Sequence, residues 1–255
     1  VSGIKNSLLF LIWLIPLSLG FIIPVSILLN FVIKGYSIIN FIEIFQITLS
    51  SISLAFISSS FIMLLSLLMI IVGAYKSNNF QKILIFFASS GYAFPGTILA
   101  VGIVVFVGWL NDLIYFRMSY AVGGFIILLF AYSIRFLAVG NGAITSGISR
   151  IHPNLLDASR TMGVSFFKSI RKIILPLLYT NLLVGGILVF VDILKELPIT
   201  LLLRPFNFET LATYVYQYAS DEMLEESAFA ALIIVIAGLG PVIFLNRTIT
   251  KSIKN

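Results

Sequence analysis

Oxygen donors gather in one stretch of this chain. Between residues 205 and 227 stand the carboxylates Glu209, Asp221, Glu222, Glu225 and Glu226 and the phenols Tyr214, Tyr216 and Tyr218. Hard cations prefer such oxygens, and an acidic mouth concentrates cations of any kind. Two other uses compete. Acids just ahead of an apolar run stabilise the positive end of the helix that follows, and an acidic patch docks a basic surface on another protein. A second group, Asp192, Lys195 and Glu196, closes an earlier apolar run. Ionisable residues there are candidates for a transport path, while Asp192 and Lys195, three apart on a helix, are also placed to pair with each other. Catalysis is excluded. His152 is the only histidine and cysteine is absent, so multi-histidine metal centres, disulfides and thiolate chemistry drop out. No Gly-x-x-x-x-Gly-Lys loop cradles a phosphate, so ATP is not hydrolysed by this chain. Asp192 has no evident acidic partner with which to share a proton.

The elements that position these groups follow from composition. The 255 residues are 60% hydrophobic and 10% charged, against about 25% charged in an average soluble domain. A soluble fold cannot hide that much apolar surface, so lipid is the solvent for most of it. Six continuous apolar runs reach the roughly 20 residues a spanning helix needs: 8–32, 47–74, 83–110, 120–139, 173–194 and 228–246. They lack the alternation of a membrane barrel, so the expected fold is all-α, one six-span domain over residues 1–255. The first run is too long for a signal-peptide core and no small-residue cleavage site follows it, so it is expected to be retained. The chain begins at Val1, as a processed chain or a piece of a longer one does.

Net charge is +6, but the basic residues sit in loops between spans, which points to orientation and not to nucleic acid. Lys5, Lys76, Lys82, Arg150, Arg160, Lys168, Arg171, Lys172, Arg247, Lys251 and Lys254 fall on one side; Lys34, Arg117, Lys195 and Arg204 fall on the other. The positive-inside rule places both termini in the cytoplasm. Arg135, inside the fourth span, is expected to snorkel to the cytoplasmic headgroups. The cytoplasmic loop 140–172 and the external loop 195–227 are long. Pro95-Gly96 interrupts the third span, as a gate or a packing kink. The serines of the second span, Ser50, Ser51, Ser53, Ser58, Ser59, Ser60 and Ser66, suit close helix packing.

Within the cytoplasmic loop, Pro153 suits a first helical turn, Leu155, Leu156, Ala158, Ser159 and Met162 make one small or apolar face, Gly163 can take the left-handed conformation that ends a helix, and Ser165 can cap the next. A short helix, a bend and a long helix into the membrane are expected. The alternative is a basic amphipathic helix lying on anionic lipid. Asp157-Ala158-Ser159, three residues, Gly163, nine residues and Ile173-Ile174-Leu175-Pro176 resemble the EAA loop of ABC importer permeases, in which Glu-Ala-Ala, Gly and I-x-L-P recur at this spacing. Asp stands for the family Glu and Ser for the second Ala.

That resemblance implies a MetI-like permease fold, with Asp157, Ala158, Ser159, Gly163, Ile173, Leu175 and Pro176 forming the coupling helix and its seat for a cytoplasmic ATPase. It implies a second permease half (fused, homodimeric or heterodimeric) and a periplasmic solute-binding protein as partners. From their own chemistry, Asp221, Glu222, Glu225 and Glu226 are the candidates to dock that protein, and Pro95, Gly96, Asp192, Lys195 and Glu196 are the candidates for a gate or pathway. No cofactor is expected on this chain, ATP being used by the ATPase dimer, and the place is the bacterial inner membrane. Residues 192–228, above all the KELP and LLLRPFNFETLAT stretches, with Phe94-Pro95-Gly96-Thr97 and Tyr132-Ser133-Ile134-Arg135-Phe136, further resemble the C-terminal half of ferric-iron permeases. Ferric iron is the implied cargo; thiamine, polyamine, molybdate or phosphonate in the same machine, and a passive channel or scaffold, are the alternatives.

Overall fold

The computed structural model describes residues 4–75, 79–114, 120–152 and 154–254. Those residues form helices joined by short turns, with no strand among them. The first span is continuous from α1 (Ile4–Leu17) through a π-helical turn (Ser18–Ile22) into α2 (Ile23–Lys34). α3 (Phe41–Tyr75) follows, then α4 (Asn79–Ala88), a tight 3₁₀ turn at Gly91–Ala93 and α5 (Gly96–Ile114). α6 (Tyr120–Ile148) leads to the short α7 (Asn154–Thr161). α8 (Phe166–Ser169) runs through a second π turn (Ile170–Ile174) into α9 (Leu175–Leu194). α10 (Pro198–Leu203), α11 (Leu211–Ser220) and α12 (Leu224–Lys254) complete the chain.

Five stretches are long and apolar enough to cross a membrane: Ile12–Lys34, Phe41–Gly73, Gly124–Ile148, Phe166–Leu194 and Leu224–Leu245. The expected interruption of the span 83–110 at Pro95-Gly96 is a helix pair bent by 117° between Ala93 and Gly96. Proline is the cause. Pro95 disfavours helical backbone in the residue before it, and Phe94 is extended at φ −83, ψ 137. The helix restarts when Leu99 donates to the Pro95 carbonyl at 3.1 Å. From Gly96 to Ile114 α5 has 19 residues, about 28 Å at 1.5 Å per residue. Counted as one span, this pair brings the candidate crossings among the described residues to six, and the basic segments 76–82 and 149–172 then fall on the same side.

Helix ends differ from the expected ones for local reasons. α3 starts at Phe41 because Asn40 caps it: the Glu43 N–H donates to Asn40 Oδ1 at 3.3 Å, and Asn40 Nδ2 donates in turn to the Glu43 carboxylate at 3.1 Å, which steadies the cap. The expected loop 140–172 is helical at both ends, since α6 runs to Ile148 and α8 begins at Phe166. The expected loop 195–227 holds α10, α11 and the first turn of α12. Both π turns precede a proline by two residues. Ile23 donates to the Ser18 carbonyl ahead of Pro24, and Leu175 to the Ile170 carbonyl ahead of Pro176. A proline has no N–H for the i−4 carbonyl, and the wider turn relieves that position.

α3, α6 and α9 form the centre of the bundle, around Leu54, Ile62, Leu128, Tyr132, Ile144, Leu178 and Val189. Small residues set the approach. A Cβ on Gly140 would lie 2.4 Å from Ser66 Oγ, and one on Gly185 would lie 2.7 Å from the Ala143 Cβ. Of the α3 serines, Ser51, Ser58, Ser59 and Ser66 face inward, and Ser51 Oγ accepts the Leu211 N–H at 2.7 Å, pinning the start of α11 to α3. A second, smaller core of Ile39, Ile44, Ile47, Leu211, Tyr214 and Ala230 lies where α11 packs on α12. No residue in the apolar window of the first span is fully buried within this chain, although α2 packs on α12.

Candidate functional site

Polar side chains converge where the third span bends. Three elements meet there: the Phe94-Pro95-Gly96 reversal, the middle of α6, and the turn between α9 and α10. Arg135 Nε on α6 lies 3.6 Å from Glu196 Oε2, and Arg135 Nη1 donates to the Phe94 carbonyl at 3.4 Å. Glu196 is buried; its Oε1 accepts the Ile199 N–H at 3.2 Å, and its carbonyl accepts the Thr200 hydroxyl at 2.7 Å. The Thr200 and Tyr132 hydroxyls bond to each other, both fully buried. Gly96, with no side chain, leaves these groups undisturbed, and a side chain there would require the end of Arg135 to shift. A Cβ there would sit 2.6 Å from Arg135 Nη1, 3.0 Å from Glu196 Oε1 and 3.2 Å from the Pro198 Cβ.

Pro95, Gly96 and Glu196 are therefore neighbours, whereas Asp192 and Lys195 form their own ion pair at 2.9 Å beside the hub. Arg135 does not reach toward the loop between α6 and α7. It turns to Glu196, because a buried carboxylate is a better partner than distant headgroups. An arginine in mid-span was the available signal for this site; its partner was not legible, nor were Tyr132 and Thr200. Farther along, Arg204 clasps the hairpin between α10 and α11. Its Nη1 donates to the Glu209 carboxylate, to the Phe208 carbonyl at 3.1 Å and to Thr213 Oγ1 at 3.2 Å. Thr210 and Thr213 cap the start of α11 reciprocally.

The outer acids sit at a helix junction. Asp221 ends α11, Glu225 and Glu226 open α12, and Glu222 between them has φ 62. Met223 donates to the Tyr218 carbonyl at 2.8 Å and Glu222 to that of Ala219 at 3.2 Å. This is a Schellman ending with Glu where glycine is usual. Burial raises the Tyr214 phenol, and its contact with Tyr218 adds to that; the two rings lie 4.4 Å apart. Among the described residues no three His, Cys, Asp or Glu side chains approach closely enough to hold a metal ion.

At the other end of the bundle, α7 ends as expected. Gly163 has φ 74, and Val164 donates to the Ser159 carbonyl at 3.0 Å. Ser165 stands at the start of α8, but its hydroxyl makes no capping bond. Pro153 and the Asp157 side chain lie outside the described residues. Ser159 turns inward to meet the Ser169 hydroxyl at 2.8 Å, tying α7 to the base of the fifth span. Leu155, Ala158 and Met162 face out, the last 81% exposed. His152 Nδ1 accepts the Asn154 N–H at 3.3 Å, so the only histidine helps to close the head of α7. Ile173 and Leu175 are half-buried and Pro176 is exposed on the rising helix.

The chain matches a family described as binding-protein-dependent transport system inner membrane component over residues 70–255. It is 25% identical over 157 residues to the Fe(3+)-transport system permease protein FbpB 2 of Haemophilus influenzae, covering 61% of this chain and 29% of that protein. It thus spans under a third of that relative's length. Among solved structures it is similar to a bacterial ABC transporter involved in the import of the acidic polysaccharide alginate, with TM-score 0.70, 16% identity and 96% of each chain covered. An inward-facing MetNI methionine ABC transporter matches with TM-score 0.59 and 15% identity, over 82% of this chain and 95% of that one.

Proposed function

We propose a cargo and a working cycle from one premise: the chain belongs to the family of binding-protein-dependent transport system inner membrane components, the permease subunits of ABC importers. Alginate and methionine transporters share the fold, so the fold leaves the cargo open. Our reading is that the cargo is ferric iron, handed over by a periplasmic binding protein and moved at the expense of ATP hydrolysed on a separate subunit.

One observation carries this reading. The stretches that resemble ferric-iron permeases are far apart in sequence yet meet in space. Phe94-Pro95-Gly96 supplies the bend, Tyr132-Ser133-Ile134-Arg135-Phe136 supplies Tyr132 and Arg135, and the KELP stretch supplies Glu196 and Pro198. The LLLRPFNFETLAT stretch continues from that turn into the Arg204 clasp. The similarity to a Fe(3+)-transport permease supports the same cargo. In this cycle the exposed face of α7 meets the ATPase, and Ser159 carries its displacement to the base of α9. The binding protein docks on the acidic junction of α11 and α12, and a second permease half completes the path. The charge pattern puts the α7 side in the cytoplasm, in the inner membrane of a bacterium.

Vesicles holding this permease, its ATPase and its binding protein decide the matter. ATP-dependent uptake of radio-iron is the expected result. Accumulation of thiamine, polyamine or an oxyanion without iron would overturn the cargo and leave the importer. Equilibration of solute without ATP would mean a passive channel.

A further inference from the structure

The hub contains two kinds of contact. Tyr132 to Thr200 and Thr200 to the Glu196 carbonyl are short, direct and buried, so α10 is fixed to α6. The contacts that hold the bend of the third span are looser. Arg135 reaches the Phe94 carbonyl at 3.4 Å and faces Glu196 at 3.6 Å, and its buried Nε has no hydrogen-bond partner. Both ions have somewhere else to turn. Glu196 keeps the Ile199 N–H, and Arg135 has the Phe136 ring 5.8 Å away and a side chain that is 20% exposed. A fully stranded buried charge would forbid such a contact from opening; here neither group is stranded.

We propose that Arg135 and Glu196 form a releasable clasp that seats the start of α5, and that α5 leaves this seat during the transport cycle. The seat is the gap that Gly96 fills between the Arg135 guanidinium, the Glu196 carboxylate and Pro198. Phe94-Pro95-Gly96 is a natural place for release, because the chain there is already broken and bent by 117°. Closed, the clasp holds the bend against the fixed unit of α6 and α10. Open, it lets α5 swing while that unit stays whole. Arg135 and Glu196 are then positioning residues for the resting state. The inference rests on the importer reading, since a clasp needs a cycle in which to open.

The chain has no cysteine, so an introduced pair is unambiguous. A Cβ at Gly96 lies 3.2 Å from that of Pro198, close to the roughly 3.5–4.5 Å of a disulfide. Gly96→Cys with Pro198→Cys is made in the complete complex with its ATPase and binding protein. Hydrolysis stimulated by the binding protein is then read before oxidation, after it, and after reduction. Oxidation should abolish stimulation and reductant should restore it; stimulation that persists in fully cross-linked protein overturns the clasp. A second arm holds if the cysteine pair disturbs folding. Glu196→Gln and Arg135→Gln should each raise ATP hydrolysis without binding protein about tenfold, a typical size for a shift between coupled states. A static staple gives no such gain, and unchanged basal hydrolysis in both variants sinks the proposal. Missing iron uptake alongside normal stimulated hydrolysis counts against the cargo alone.

Discussion

Gly163 fixes where α7 points, and its replacement separates backbone geometry from contact. Its φ of 74 lies in the left-handed region, and nothing stands within 4 Å of the place a Cβ would occupy. A Cβ meets no steric obstacle there, so the cost of Gly163→Val is chiefly conformational, about 1–2 kcal/mol. That is a factor of about 5–30 in the population of the native bend. Gly163→Asn carries more atoms, yet asparagine tolerates left-handed backbone, so it should cost much less. The assay is stimulated ATP hydrolysis of the assembled complex, with insertion of the permease checked in parallel. Valine should reduce stimulation by about that factor at normal insertion, and asparagine should retain most of it. Equal damage from asparagine and valine would show that an unseen contact, not the bend, makes the position sensitive; wild-type behaviour of the valine variant would remove Gly163 from coupling altogether.

The orientation is checked by single cysteines in cells: one at Asn207 should react with an impermeant thiol reagent added outside, and one at Ser149 should be protected, the opposite pattern inverting the topology. Ser51→Ala deprives the buried Leu211 N–H of its acceptor, and should cost about 1–3 kcal/mol in the thermal stability of the purified protein; Ser51→Thr keeps a hydroxyl and should cost less. Glu222→Gly relieves a left-handed residue at a helix end that favours glycine. After the loss of glycine's own entropy the gain should be roughly 0.5–1 kcal/mol. If the outer acids dock a partner, replacing Asp221, Glu222, Glu225 and Glu226 by amides should weaken binding-protein stimulation at low salt and matter less at high salt, whereas an effect indifferent to salt would assign them to the helix start alone.

Much of this architecture is legible from the residues alone. Long apolar runs place the spans because lipid demands them, and the turn of α7 follows from one glycine at a helix end. What the residues alone do not reveal has a common character. A lone arginine in an apolar run reads as snorkelling to headgroups, because a partner distant in sequence gives no periodic signal, and Glu196 lies just past the end of another helix. Residues 195–227 read as loop because their polar and aromatic mixture has no clear period; they fold into helices through local caps at Thr210 and Thr213 and through Arg204, which tie the chain to itself. Pro95-Gly96 announced a break, but its 117° angle depends on what the bend packs against.

The bend of the third span has a consequence for the surrounding lipid. α5 begins at the Gly96 seat beside Arg135, midway along α6, so it does not cross the hydrocarbon core alone: α4 and α5 share the third crossing through a 117° bend, while α3, with 35 residues, has ample length to tilt. A straight helix meets a thicker bilayer by standing more upright, whereas a bent pair can meet hydrophobic mismatch by changing its angle. The bend lies at the Gly96 seat between Arg135 and Glu196, so transport by this chain should depend on acyl-chain length, with no ligand involved.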